Sequence, residues 1–113
     1  MGNVLLIGFS EDLKFDSKLY PFSIYMYRED SDRNGRENLS EMRRAVEVPD
    51  YVVVNLCKET LPLDEAILIY LLYTNNTPIY GVGNHVDSIM LCELLCRSFT
   101  FLHEALDHIK NIF

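Results

Sequence analysis

The residues best placed to do covalent chemistry are two adjacent carboxylates, Asp64 and Glu65, which follow the apolar run Tyr51–Cys57 (YVVVNLC) after a short polar gap. A carboxylate with an apolar wall behind it can act as a nucleophile toward an oxocarbenium-like carbon. Acids in the first turn of a helix also complement its dipole, so the pair has a purely structural reading as well. Few other candidates are available. Gly8, Phe9 and Ser10 close the first apolar run, and Asn55, Lys58 and Glu59 surround the end of the strongest one. Gly81, Gly83, Asn84 and His85 follow the next. His103 and His108 fall on the polar side of the last helix, where solvation accounts for them.

Several chemistries have no footing in the chain. There is no G-x-G-x-x-G, no phosphate-binding P-loop and no G-x-S-x-G elbow. Gly81-Val82-Gly83 reads as a strand-to-loop turn. Cys57, Cys92 and Cys96 are odd in number and lack C-x-x-C spacing. They read as buried free thiols in a reducing compartment, since two thiols four residues apart make a poor closed zinc site. No metal-ligand spacing emerges, and no cofactor is called for.

These residues need elements to position them. Asn3–Phe9 (NVLLIGF) is a continuous apolar run ended by Gly8, the pattern of a strand buried on both faces. Ser10 then caps a short helix that Pro21 stops. Phe22–Tyr27 (FSIYMY) is a second strand, and the polar stretch Glu29–Glu37, with its Asn34-Gly35 pair, is the most mobile loop. A helix over Asn38–Val46 is capped by Asn38, with Leu39, Met42 and Val46 on one face. Tyr51–Cys57 is the central strand, and Thr60 caps a helix over Thr60–Tyr73 with Pro62 in its first turn. Thr77–Val82 is a strand, His85–Cys96 a helix, Phe99–Phe101 a minimal last strand, and Leu102–Ile112 a terminal amphipathic helix. Strands alternating with helices imply one α/β domain over residues 1–113, a five-stranded parallel sheet with helices on both faces. Ligands in such three-layer sandwiches sit outside the carboxyl ends of the strands, where the strand order reverses.

Charge and hydropathy narrow the partners. The chain has 113 residues and a formal net charge of -7, which argues against a nucleic acid polymer as partner. Arg28, Arg33, Arg36, Arg43 and Arg44 cluster, but Glu29, Asp30, Asp32, Glu37 and Glu41 are interleaved with them, leaving the stretch locally neutral. No leader or membrane span is recognisable, so a cytoplasmic location with no membrane partner is expected. Ala66–Tyr73 is apolar throughout. A helix there has no polar face, which predicts a homo-oligomer.

The order of features resembles the nucleoside 2-deoxyribosyltransferase family. The similar stretches are Ile7-Gly8-Phe9 at the end of the first strand, Glu41–Val46 leading through Pro49-Asp50-Tyr51 to Val54-Asn55-Leu56, the run from Asp64-Glu65 to Thr77–Val82, and Phe101–Leu106. They span most of the chain in order. The resemblance implies a flavodoxin-like, Rossmann-like sandwich, a homo-oligomer, and a nucleoside or nucleotide substrate. It also implies a nucleophilic Glu in the first turn of the helix after the central strand, here Glu65. Asn55 or Asp64 would then hold sugar hydroxyls, Phe9 would pack on the base, and Gly8, Ser10, Gly81 and Asn84 would line the pocket. Two features depart from the family. Leu61 and Pro62 stand where it has Gly-Thr, and the distance from Glu65 to Pro78 is about three residues longer than its usual spacing. Counting back from Pro78 at the family spacing reaches Leu68, whereas counting from the helix-start signals Thr60 and Pro62 reaches Glu65. Hydrolysis of a deoxynucleotide N-glycosidic bond is the close variant of the transfer reaction, with Ser10, helix amides and one loop arginine as candidate phosphate donors. Two other functions stay open on the same fold: a nucleotide-binding or sequestering regulator without turnover, and an interaction domain with no small ligand.

Overall fold

The structure, a computed structural model, describes residues 2–10, 13, 15–27, 35–57, 61–83 and 89–112. Five strands, β1 (Asn3–Ile7), β2 (Ser23–Met26), β3 (Tyr51–Asn55), β4 (Ile79–Val82) and β5 (Arg97–Phe99), form one sheet. All its pairings are parallel, and the spatial order is β2-β1-β3-β4-β5. The helices are α1 (Gly35–Ala45), α2 (Leu63–Thr74), α3 (Ile89–Leu94) and α4 (Leu102–Ile112). This is the expected α/β three-layer architecture, consistent with a flavodoxin-like fold.

The two sheet faces are dressed differently. Leu5, Ile7, Val52, Val54 and Ile79 pack against Met42 and Val46 near α1, against Leu68, Ile69 and Leu72 of α2, and against Leu91 of α3. Val4, Leu6, Val53, Tyr80 and Val82 face the other way, onto Ala105, Leu106 and Ile109 of α4. Both sets come from the same strands at alternate positions, as the period-two geometry of a strand requires. Val4, Leu6, Ile7 and Val52–Val54 are fully buried, which explains why β1 and β3 read as unbroken apolar runs.

Several expected boundaries shift. The helix expected after Ser10 is absent from the described residues between β1 and β2, which hold a 3-10 turn over Ser17–Leu19 (Glu11, Asp12 and Lys14 lie outside them). Asp16 explains part of this, since its Oδ1 accepts the Lys18 N–H at 3.0 Å and so competes with helical bonding. Phe9, Leu13, Phe15 and Tyr20 then cover the sheet at a spacing no helix would give. The loop expected over Glu29–Glu37 lies outside the described residues up to position 34. Its last three residues are helical, so α1 starts at Gly35 and Asn38 lies inside it rather than capping it. Glu37 in the first turn and Arg43 and Arg44 in the last suit the dipole of this earlier start.

Helix α2 opens at Leu63 with Pro62 at its N-cap, so the cap expected at Thr60 is not the boundary; Thr60 itself lies outside the described residues. Its exit is well defined. Asn76 is left-handed (φ 61°), and the Asn76 and Thr77 amides donate to the Tyr73 and Leu72 carbonyls at 3.0 and 3.1 Å, a Schellman ending with Pro78 just beyond. The last strand is Arg97–Phe99, not Phe99–Phe101. It is an exposed polar edge with no apolar signature, and the Phe101 amide instead donates to Glu104 Oε1 at 3.0 Å, capping α4.

Candidate functional site

The strand order reverses at β1: the chain runs from β1 to β2 on one side, then crosses to β3 on the other. In folds of this kind the carboxyl ends of the two strands flanking that reversal, here β1 and β3, are where a ligand crevice forms. Gly8 leaves β1 in a left-handed conformation (φ 83°), which a residue with a side chain adopts poorly. Asn55 ends β3 and spans the gap. Its Nδ2 donates to the Gly8 carbonyl at 3.0 Å, and its Oδ1 accepts the Cys57 amide at 2.9 Å. The amide thus fixes both turns relative to each other. One Nδ2 hydrogen and one Oδ1 lone pair are left over by the chemistry of an amide.

The start of α2 brings the carboxylates to this edge, and the two differ. Helix azimuth advances by about 100° per residue, so Glu65 shares a face with Leu68, Ile69 and Leu72, three, four and seven residues on. All three are fully buried. Glu65 thus continues the sheet-facing stripe of α2 toward the carboxyl edge; it is half-buried and its Oε1 is buried. Asp64, one step round the helix, is exposed. Leu68, the alternative position for a nucleophile, is a core side chain.

The remaining candidates separate. Phe9 is half-buried and packs with the apolar cluster on the α4 side of the sheet. Ser10 is exposed beyond it, its carbonyl accepting the Leu13 amide at 3.0 Å. Gly81 is a buried packing position inside β4, where an added Cβ would lie 2.9 Å from Leu56 Cδ1 and 3.0 Å from Leu95 Cδ1. Gly83 is the turn residue (φ 92°), and its amide donates to the Phe99 carbonyl at 2.8 Å. A cavity of about 260 Å³ lined by Gly83, Ser98, Phe99 and Thr100 extends the carboxyl edge toward β5. Asn84, His85, Lys58 and Glu59 lie outside the described residues, as do Arg28 and Arg33. Arg36, Arg43 and Arg44 are exposed on α1, with Arg44 paired to Glu41 at 3.2 Å, in keeping with a locally neutral stretch.

Two expectations about side chains fail. Cys57 and Cys96 are exposed free thiols, not buried ones. Cys57 escapes the core because β3 ends two residues earlier, placing its Sγ 3.7 Å from the Val82 carbonyl beside Gly83. It is a residue of the carboxyl edge that sequence reading missed; its position two residues past Asn55 was the available signal. His108 is not a solvated surface residue. It is half-buried, its ring centroid 5.3 Å from Tyr80 and 5.4 Å from Phe99. Tyr80 is accordingly pushed above the usual phenol range, by burial first and then by Cys96 and Tyr51.

Among the described residues no cluster of three or more His, Cys, Asp or Glu could hold a metal, and no helix is long and apolar enough to cross a membrane. No protein-family model and no curated protein sequence matches the chain.

Proposed function

We propose that the crevice between β1 and β3 takes a nucleoside or nucleotide and that Glu65 attacks its anomeric carbon. The observation that carries this reading is the contrast within the first turn of α2, where Glu65 faces the sheet with a buried Oε1 while Asp64 is exposed. In the first step the Glu65 carboxylate bonds to C1′ of a 2-deoxyribosyl group as the C1′–N bond breaks. The departing base takes up a proton from water. In the second step an acceptor base, or water, attacks C1′, the ester to Glu65 breaks, and the acceptor gives up its proton. Asn55 has a hydrogen and a lone pair left for a sugar hydroxyl, and Asp64 stands at the rim for a second. Gly8 leaves the turn free of side-chain bulk. Phe9 and Ser10 follow that turn, and on this reading the Phe9 ring packs on the base.

The test is turnover. Incubation with deoxyinosine and free adenine should yield deoxyadenosine and hypoxanthine, and Glu65→Ala should abolish it in a protein that still folds. A panel of deoxynucleosides and their monophosphates, assayed for transfer and hydrolysis with no product, would sink the catalytic reading. Nucleotide binding seen by calorimetry without turnover, and unaffected by Glu65→Ala, would identify the crevice as a non-catalytic binding site.

A further inference from the structure

The exposed side of α2 carries four large apolar side chains. Leu63 is 76% exposed, Tyr70 55%, Tyr73 47% and Ile67 40%. Leu63, Ile67, Tyr70 and Thr74 follow one another at four-, three- and four-residue steps, so they form one stripe. That stripe lies opposite the buried side of the helix and therefore opposite Glu65. In a chain of net charge -7, no Asp, Glu, Lys or Arg occurs between Glu65 and Asp87. Beside the carboxyl end of α2 lies a groove of about 520 Å³, lined in part by Tyr73, Leu94, Leu95 and Cys96, with Glu93 its charged member.

We infer that this face binds a second copy of the chain, with the two α2 helices antiparallel about a two-fold axis. The surface is self-complementary in that arrangement. An axis at the middle of α2 sets Ile67 of each copy against Tyr70 of the other. It also carries each protruding Leu63 to the groove beside Tyr73 and Thr74 of the other copy. Like-charged copies repel least where neither carries charge, and this is the long uncharged segment of an acidic chain. The area suffices as well. With aromatic side chains worth about 150–250 Å² each, the four exposed portions present on the order of 400–500 Å² per copy. A two-fold pairing then buries on the order of 800–1,000 Å² from these side chains, and flanking residues carry it past the roughly 1,000 Å² at which association becomes specific. The pairing leaves Glu65 on the far side of the helix, so its success or failure is independent of the Glu65 reading.

Sedimentation equilibrium of the full chain tests it. The wild type should be a dimer at micromolar concentration. Tyr70→Asp, at an exposed position, should weaken the dimer by about 100-fold or more while leaving the circular dichroism unchanged. A monomeric wild type overturns the inference and leaves the face to a different partner; a dimer that Tyr70→Asp does not weaken overturns it too. Cross-linking checks the pairing without a charge in the interface. Oxidised Leu63→Cys should form a covalent dimer that Cys96→Ser abolishes. Absence of that product, or its persistence in the double variant, excludes the antiparallel arrangement.

Discussion

The two edges of the sheet are built to opposite ends. At the amino edge, polar groups are spent on one another. The Asn3 amide donates to Asp50 Oδ2 and the Asp50 amide to the Asn3 carbonyl, both at 2.8 Å, tying β1 to the start of β3. Asn75 Nδ2, donating to the Val46 carbonyl at 3.3 Å, ties the end of α2 to the segment after α1. At the carboxyl edge the chain leaves β1 and β4 through two left-handed glycines, and Asn55 bridges β1 to β3 while keeping part of its hydrogen-bonding capacity. The half-buried Glu65 at the start of α2 and the exposed thiol of Cys57 belong to the same edge. The described residues of the amino edge close the fold; those of the carboxyl edge form a shelf on which the proposed site rests. Along α2 the same contrast is compressed into one turn, from Glu65 at the shelf to Leu68 in the core.

The largest effects should divide along that turn. If the proposed function holds, Glu65→Ala should lower turnover by about 10³-fold or more, as loss of a nucleophile does, yet change unfolding free energy by no more than about 1 kcal/mol. Leu68→Ala should do the reverse. It empties a fully buried site and should cost about 2–5 kcal/mol in urea unfolding, with activity largely kept while the protein is folded. If Leu68→Ala proves mild and Glu65→Ala severe for stability, the carboxylate is a structural element and the contrast collapses.

Gly83→Ala probes the shelf itself. The new Cβ would lie 2.5 Å from Cys57 Sγ and 2.9 Å from the Cys57 amide nitrogen, at φ 92°. Backbone strain and overpacking together should cost about 2–4 kcal/mol. Since the nitrogen belongs to the backbone, removing the thiol with Cys57→Ala should restore only part of this. Full rescue by Cys57→Ala would show that the strands can separate, and that the edge is looser than its hydrogen bonds imply.

The sheet was legible in the chain because its central strands are buried on both faces, which forces unbroken apolar runs at β1 and β3. Helix α4 was legible because its stripe is clean, and it spans Leu102–Ile112 as read. What failed has local causes. Edge strand β5 is exposed, so no burial demand shaped Arg97-Ser98-Phe99 into a pattern. The segment before β2 covers the sheet with scattered aromatics, which mimic a short helix in composition but not in spacing. His108 was misplaced because a polar residue on the polar side of α4 still meets Tyr80 and Phe99 across the sheet face. At the site, Gly8 and Asn55 were legible from strand ends alone. The difference between Asp64 and Glu65 was not, because it depends on where α2 begins, which places Glu65 in line with Leu68, Ile69 and Leu72.

The smallest predicted effect concerns a buried polar group on the α1 side of the sheet. Tyr25 of β2 faces the α1 side of the sheet, and its hydroxyl oxygen is buried with no hydrogen-bond partner among the described residues. A buried hydroxyl without a partner has lost its water and gained nothing in exchange. Tyr25→Phe should therefore be neutral or stabilising by up to about 1 kcal/mol at neutral pH. The same burial, with the Asp50 carboxylate second, holds the Tyr25 phenol above its ordinary value of 10.0. The folded state then keeps this proton more tightly than the unfolded chain does. The associated stability is complete below pH 10 and declines as pH rises past it, because the unfolded chain ionises first. Tyr20 is raised too, by burial and then by Asp107, and Tyr80 likewise, so the wild type should lose stability on the alkaline side. Tyr25→Phe should soften that loss without removing it. Urea midpoints at neutral pH and above pH 10 measure both effects. A neutral-pH destabilisation well beyond 1 kcal/mol would mean that the hydroxyl has a partner, and that this face of the sheet is as fully hydrogen-bonded as the amino edge.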